Sequence, residues 1–352
     1  MDPAHEGARR KLGHVCWEGR WFPSEEEMMK ARGLVPFRGR WLRPEELGKE
    51  SEGFKEHGGD WFTGPEWEKL SGGSAVETAG KPGWKTFRTL HYRLFTHLRP
   101  SKSLKFTRMA EQAYGAFERH FGFAPERILE GYIFEDLGEF EDFVVGLGFA
   151  EPGNLRSHGF FNGFSRKVYF PYVDDDYTTV NILLHELCHQ FEFLSGHKGR
   201  VPVWFYEGIA CVFGHHLLRG ERLIPGRLMV KKNFNLYYFQ HRVRTGGQWP
   251  LGKVLTGSPG PTVDRVFYNH AWALTWFLMH CTEGGYAEKF PAYQKAIHSE
   301  SSAAADPVEL FASHFGDLKK VEKDFYTYIL SIKGLRWRGK GREAGEKGRK
   351  GR

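Results

Sequence analysis

The sequence predicts an α+β chain: a small mixed β-sheet, then a mainly helical subdomain, with a small N-terminal repeat module ahead of both. Three observations carry this. A Gly-x-Trp triplet recurs every 20 residues, with the tryptophans at positions 21, 41 and 61. Between residues 87 and 172, short alternating stretches are interleaved with segments of helical spacing. Beyond residue 176, the periodic segments are all helical in spacing.

The repeats occupy residues 1–67. Gly19-Arg20-Trp21-Phe22-Pro23-Ser24-Glu25-Glu26 is echoed by Gly39-Arg40-Trp41-Leu42-Arg43-Pro44-Glu45-Glu46 and, more weakly, by Gly59-Asp60-Trp61-Phe62-Thr63-Gly64-Pro65-Glu66. Each unit reads as a short strand, a turn and a helix start with acidic residues in its first turn, where the helix dipole favours them. Units this small cannot bury a core alone, so the tryptophans are expected to dock them. A ligand-binding module is the other reading. Residues 68–84 are small, Gly-rich and polar, and read as a linker.

The main domain is expected over 85–332. Phe87 to Thr96 alternates as one strand, Leu104 to Phe121 has helical spacing, Arg127 to Phe134 is a strand and Leu137 to Leu147 a helix. Two further strands are expected over Gly159–Phe164 and Arg166–Tyr172. Asp174, Asp175 and Asp176 fit the start of the next helix better than a calcium site, with Thr178 or Asp176 as its cap.

That helix carries the chemistry. His185, Glu186 and His189 stand in the order His-Glu-x-x-His. Residues i and i+4 share a helix face, so both imidazoles can reach one ion, and the intervening Glu186 can touch water beside it. Leu183, Leu184, Leu187, Phe191 and Leu194 form the buried side. Glu207 follows after a breaker-rich turn, on a second helix expected to run to about Leu218. Two histidines and one carboxylate with an open fourth position are a catalytic zinc set, one Zn2+ per chain. The bland alternative is a solvated helix with two surface histidines. Cys211, one turn past Glu207, either approaches the ion or packs. His215 and His216 are too far along the axis to share the ion and are expected to be solvated or packed.

The segments His185-Glu186-Leu187-Cys188-His189-Gln190 and Trp204-Phe205-Tyr206-Glu207-Gly208-Ile209-Ala210 resemble the gluzincin metallopeptidases. The helix pair is similar to that of the membrane-alanyl-type aminopeptidases, and closer still to the bacterial peptidase MA-like domain family. The resemblance spans roughly residues 88–330 and is sharp at these two motifs and near Tyr268. It implies a gluzincin/thermolysin-like fold and a peptide or protein substrate. It also implies that the last strand before the motif helix walls the substrate cleft, with residues 158–172 as the candidate; an ordinary sheet edge is the other reading. Tyr268 would donate a hydrogen bond to the oxyanion, with His270 as substitute; a core tyrosine is the other reading of Tyr268. The Gly-x-Met-Glu-Asn motif of exopeptidases is absent, so endo- or exopeptidase action stays open. Thermolysin-like members carry an Asp where this chain has Cys211, so the groups behind the ligands must be built differently.

After Glu207, residues 219–262 read as loop-rich, with Lys231, Lys232, Arg242 and Arg244 as a cleft rim. A helix then opens at Val266, and Tyr286–His298, Pro307–Phe315 and Leu318–Ile332 close the domain.

Composition narrows the partners. The chain has 352 residues and a net charge of +7, but nine Lys/Arg and two Glu fall in 333–352, leaving 41 basic and 41 acidic residues elsewhere. The charge is a property of that basic tail, which is expected to be disordered. A nucleic-acid groove in the folded part is disfavoured, and only weak binding through the tail remains. No apolar run is long enough to span a bilayer. The start, MDPAHEGARRKLGHV, has no signal-type apolar region. Four unspaced cysteines fit free thiols. The chain as written is therefore expected to be cytoplasmic, unless the start site is misplaced. The functional expectation is a zinc-dependent peptidase with His185, His189 and Glu207 as ligands, Glu186 as general base and Tyr268 as oxyanion donor. The rivals are a zinc-stabilised binding or scaffold protein working through its Trp repeats, and a zinc hydrolase of a non-peptide amide.

Overall fold

A computed structural model describes residues 7, 9, 13–37, 40–78, 83–153, 158–259 and 265–333. The chain is mixed α and β and divides into two compact units, Met1–Val76 and Glu77–Arg352. The tail from residue 334 onward lies outside the described residues.

The first unit contains three hairpin-plus-helix segments: β1 (Val15–Trp17), β2 (Arg20–Phe22) and helix Glu25–Ala31; β3 (Val35–Phe37), β4 (Arg40–Leu42) and helix Pro44–Ser51; β5 (Lys55–His57), β6 (Asp60–Phe62) and helix Gly64–Ser71. The register repeats, with Cys16 opposite Trp21, Pro36 opposite Trp41 and Glu56 opposite Trp61. Glu18 and Gly19 both have positive φ, as do Gly58 and Gly59, the two-residue turn that matches strand twist. Ser24 accepts from the Glu27 N–H, and Thr63 forms a reciprocal cap with Glu66. The tryptophans are only half-buried. Phe22, Leu42 and Phe62, each one residue on, are the buried anchors, because alternation along the strand turns that position inward. The expected linker, 68–84, holds the end of the third helix and a strand, β7 (Val76–Thr78).

A six-stranded sheet follows the order β11-β12-β10-β9-β8-β7. Its members are β8 (Lys85–Arg88), β9 (Tyr92–Thr96), β10 (Leu129–Phe134), β11 (Phe160–Asn162) and β12 (Lys167–Pro171), with β7 at one edge. β9, β10 and β12 run parallel, while β8 and β11 are antiparallel to their neighbours. The stretch expected as one strand over Phe87–Thr96 is therefore a hairpin. It pairs Arg88 with Arg93, turns through Leu90 and His91, and is held by Thr89, whose N–H donates to the Tyr92 carbonyl at 2.9 Å. Helix Pro100–Phe121 lays Phe106, Met109, Ala110, Ala113, Phe117 and Phe121 on the core and stops at Gly122, in the left-handed conformation. Helix Leu137–Gly146 lies between β10 and β11 in the chain.

The remaining helices are the motif helix Asp176–Leu194, the carboxylate helix Val203–Gly214, Phe234–Thr245, Leu251–Thr256, the buried helix Arg265–His280, and Tyr286–His298, Pro307–Phe315 and Leu318–Ser331. The motif helix is capped by Asp175, which accepts from the N–H groups of Thr178 and Tyr177, rather than by Thr178 or Asp176. Asp176 pairs with Lys105, so Asp175 and Asp176 are taken up by capping and pairing. The carboxylate helix does not reach Leu218. It ends at Gly214, where a Cβ would stand 3.2 Å from the Asn181 carbonyl oxygen. The chain then forms a hairpin, β13 (His216–Arg219) and β14 (Arg222–Pro225), turning at Gly220. His215 and His216 are buried there. The segment 219–262, expected to be loop-rich, thus holds among its described residues strand β14, a short 3-10 helix (Val230–Lys232) and two α-helices. Among the described residues, no helix is long and apolar enough to cross a membrane, and all four cysteines are free.

Candidate metal centre

The motif helix is held on three sides. Val180, Leu183, Leu184, Leu187, Cys188 and Phe191 are completely buried. Gln190 donates from Nε2 to the Glu130 carbonyl at 2.8 Å and the Arg166 carbonyl at 2.9 Å, tying the helix to the ends of β10 and β12. The carboxylate helix packs against it and also against the buried helix, where Gly208 permits backbone contact: a Cβ there would lie 2.5 Å from the Ala271 carbonyl oxygen and 2.2 Å from Thr275 Oγ1. Trp204, Phe205, Ile209 and Ala210 complete that packing with no exposure. Glu207 thus points back at the motif helix from a rigid support.

The structure brings His185, His189 and Glu207 together. His185 Nε2 and His189 Nε2 are 3.1 Å apart, and Glu207 Oε2 is 3.4 Å from each. At a bond length of roughly 2.0–2.1 Å, two ligand atoms of a tetrahedral zinc site stand about 3.3–3.4 Å apart. The three atoms therefore form one face of such a tetrahedron. Glu207 Oε2 is buried without a hydrogen-bond partner of its own, an arrangement that costs free energy unless a cation lies against it. Burial pushes the Glu207 carboxyl up, but His189 and His185 beside it outweigh that and hold it well below the usual carboxylate range. On donor type and spacing the residues present fit a zinc ion.

The groups around the triad differ from each other. Cys211 Sγ lies 3.8 Å from His185 Nδ1, behind the ring rather than among the three ligand atoms. His189 is stacked under Tyr206, with ring centroids 4.0 Å apart and planes 22° from parallel. Tyr206 gave no signal in the sequence beyond its place next to Glu207, since a stacking partner is defined only once two helices have crossed.

Glu186 is buried beside the triad but is not one of its three ligand atoms. Its carboxylate accepts the Phe161 N–H from β11, the edge strand, and burial is the main influence raising its pKa, against His185 and His189, which lower it. Gly159, just before β11, allows this approach: a Cβ there would meet Ile182 Cγ2 at 2.8 Å and Glu186 Cγ at 3.2 Å. Residues 158–172 do stand against the motif helix, through β11 and Glu186.

Tyr268 lies on the buried helix with its ring 6.4 Å from that of His185. Its pKa is raised well above the usual phenol range by burial, then by Glu207 and Cys211 nearby. His270 cannot substitute for it. The ring is completely buried, Nδ1 faces the Val266 carbonyl at 2.7 Å, and Nε2 accepts the Trp249 N–H at 2.9 Å, so both nitrogens serve the fold. One helical turn separates i from i+4, but residues two apart face different sides, which directs Tyr268 to the triad and His270 away from it.

No family model and no curated protein matches this chain.

Proposed function

We propose that the chain is a zinc-dependent hydrolase that cleaves peptide bonds, of the gluzincin type, with His185, His189 and Glu207 holding the ion. The observation that carries this reading is the 3.1, 3.4 and 3.4 Å triangle of ligand atoms with a separate buried carboxylate, Glu186, beside it. When bound, zinc supplies Lewis acidity, lowering the pKa of water and polarising a carbonyl. Glu186 takes the proton from water and hands it to the leaving amine, a task its burial suits by making its conjugate acid less acidic than a solvated one. Tyr268 donates to oxyanion charge as it develops on the substrate carbonyl. Among the described residues strand β11 pairs with β12 on one side only, and the edge it leaves, close to Glu186, suits the addition of an extended peptide.

A scaffold protein with a purely structural ion has no use for Glu186. A buried carboxylate beside the ligands, outside the ligand set, is a cost without return in such a site. The test is a screen of quenched-fluorescence peptide libraries. Hydrolysis is expected, is abolished by a strong zinc chelator, and returns when zinc alone is added back. Chelator-insensitive cleavage, or no cleavage by fully zinc-loaded protein, contradicts the reading.

A further inference from the structure

A second group of metal-ligating side chains lies past the end of the same helix. Glu192, His197 and His298 each offer a ligand atom, all within 4.8 Å of one another. Glu192 sits in the last turn of the motif helix and is completely buried. Its Oε1 is 2.7 Å from His298 Nε2, while its Oε2 is buried without a hydrogen-bond partner. His298 Nδ1 is 2.7 Å from the Gln294 carbonyl oxygen. A carbonyl only accepts, so Nδ1 carries a proton, and Nε2 is the nitrogen that faces Glu192. That is the orientation a metal-ligating histidine has when its other nitrogen is tied to a carbonyl. Two acceptors facing each other at hydrogen-bond distance need a cation with them, either a proton or a metal ion. His197 completes the group. Its Nδ1 is also buried and unpartnered, and its ring lies 4.9 Å from that of His298.

Three helix C-termini favour positive charge here, against Lys295 and His120, which line the same cavity. Helices Pro100–Phe121, Asp176–Leu194 and Tyr286–His298 all end at one cavity of about 710 Å³, whose wall includes Phe121, Ser195, His197, Gln294 and His298. The carbonyl ends of helices carry partial negative charge and stabilise cations. The cavity, lined by His197 and His298, also gives the group a route to solvent.

We propose that Glu192, His197 and His298 form a second binding site, distinct from the His185–His189–Glu207 triad, for a divalent transition-metal ion of the zinc class, with the cavity supplying its open coordination positions. Two imidazoles and a carboxylate are the donors such ions take. His197 lies on the 195–202 loop rather than in a helix. Drawing the atoms in to tetrahedral spacing takes a movement on the order of 1 Å of that residue.

The site stands independently of the hydrolase reading, and the experiment keeps the two apart. Full-length protein is stripped of metal, equilibrated with zinc alone, freed of loosely held ion and analysed for metal by mass spectrometry. Wild type is expected to hold about two ions per chain. His197→Ala, which alters a half-buried loop side chain, keeps the triad's ion and loses the other. His189→Ala does the reverse. Glu192→Gln, with its shape kept and its charge removed, repeats the loss if it folds, and His197→Ala decides if it does not. A wild type and a His197→Ala variant with equal metal content overturn the proposal. A single ion that survives His189→Ala and is lost in His197→Ala upholds it while removing the triad's.

Discussion

Glu186→Gln is expected to lower peptide hydrolysis by about 10²–10⁴-fold while leaving the metal content unchanged. Glu186 is not one of the three ligand atoms, so its replacement leaves the triangle of His185, His189 and Glu207 intact. Glutamine has the same shape, and its amide oxygen can still accept the Phe161 N–H that the carboxylate accepts now. It fits the same tight space against Gly159 and Ile182. What it cannot do is take a proton from water. The loss should therefore appear in kcat rather than KM, since a residue that acts on the proton in flight contributes little to holding substrate. Hydrolysis rates and metal content measured on one preparation check this. Retained turnover would remove Glu186 from the mechanism, and loss of the ion would make it a ligand.

Gly208→Ala is expected to destabilise the fold by about 1–3 kcal/mol, the range for overpacked cores, and to strip the ion from the triad. The added methyl would stand 2.5 Å from the Ala271 carbonyl oxygen and 2.9 Å from its carbon, backbone atoms that cannot rotate away. The carboxylate helix must back off from the buried helix. Glu207 is the adjacent residue and moves with it, and a ligand triangle with edges of 3.1–3.4 Å does not tolerate a displacement of that size. Urea denaturation and metal analysis read the two effects separately. Unchanged metal content together with unchanged stability would mean that the two helices are not held as tightly as the geometry shows.

Local signals made the site legible in the sequence. His185, Glu186 and His189 are joined by helical spacing, and Glu207 follows a turn rich in Gly and Pro, so both helices and their facing sides could be read without tertiary information. The closing helices Tyr286–His298 and Pro307–Phe315 were legible for the same reason: strong periodicity between clear breakers. The misses have tertiary causes. The hairpin of β8 and β9 turns through Leu90 and His91, which carry none of the Gly, Asn or Asp that mark such turns, and alternation continues across them. The carboxylate helix ends at Gly214, where the Asn181 backbone of another helix comes within 3.2 Å of the place a Cβ would take, a contact that no local pattern records. In the N-terminal unit the tryptophans drew attention by their size, yet Phe22, Leu42 and Phe62 carry the burial. Tyr206 over His189, and Glu192 against His298, 106 residues away in sequence, depend on helix crossings and are invisible before the fold is known.

The central claim is that His185, His189 and Glu207 hold a metal ion, and metal analysis of the purified protein tests it most directly, with wild type beside His189→Ala and the residues of the second cluster intact in both. The account predicts that the variant holds one zinc ion fewer per chain than the wild type while keeping its fold, because removal of one corner leaves only two of the three ligand atoms. Equal metal content in the two proteins, or a well-folded wild type that refuses added zinc, would contradict it and reduce the triad to two histidines and a carboxylate that happen to meet.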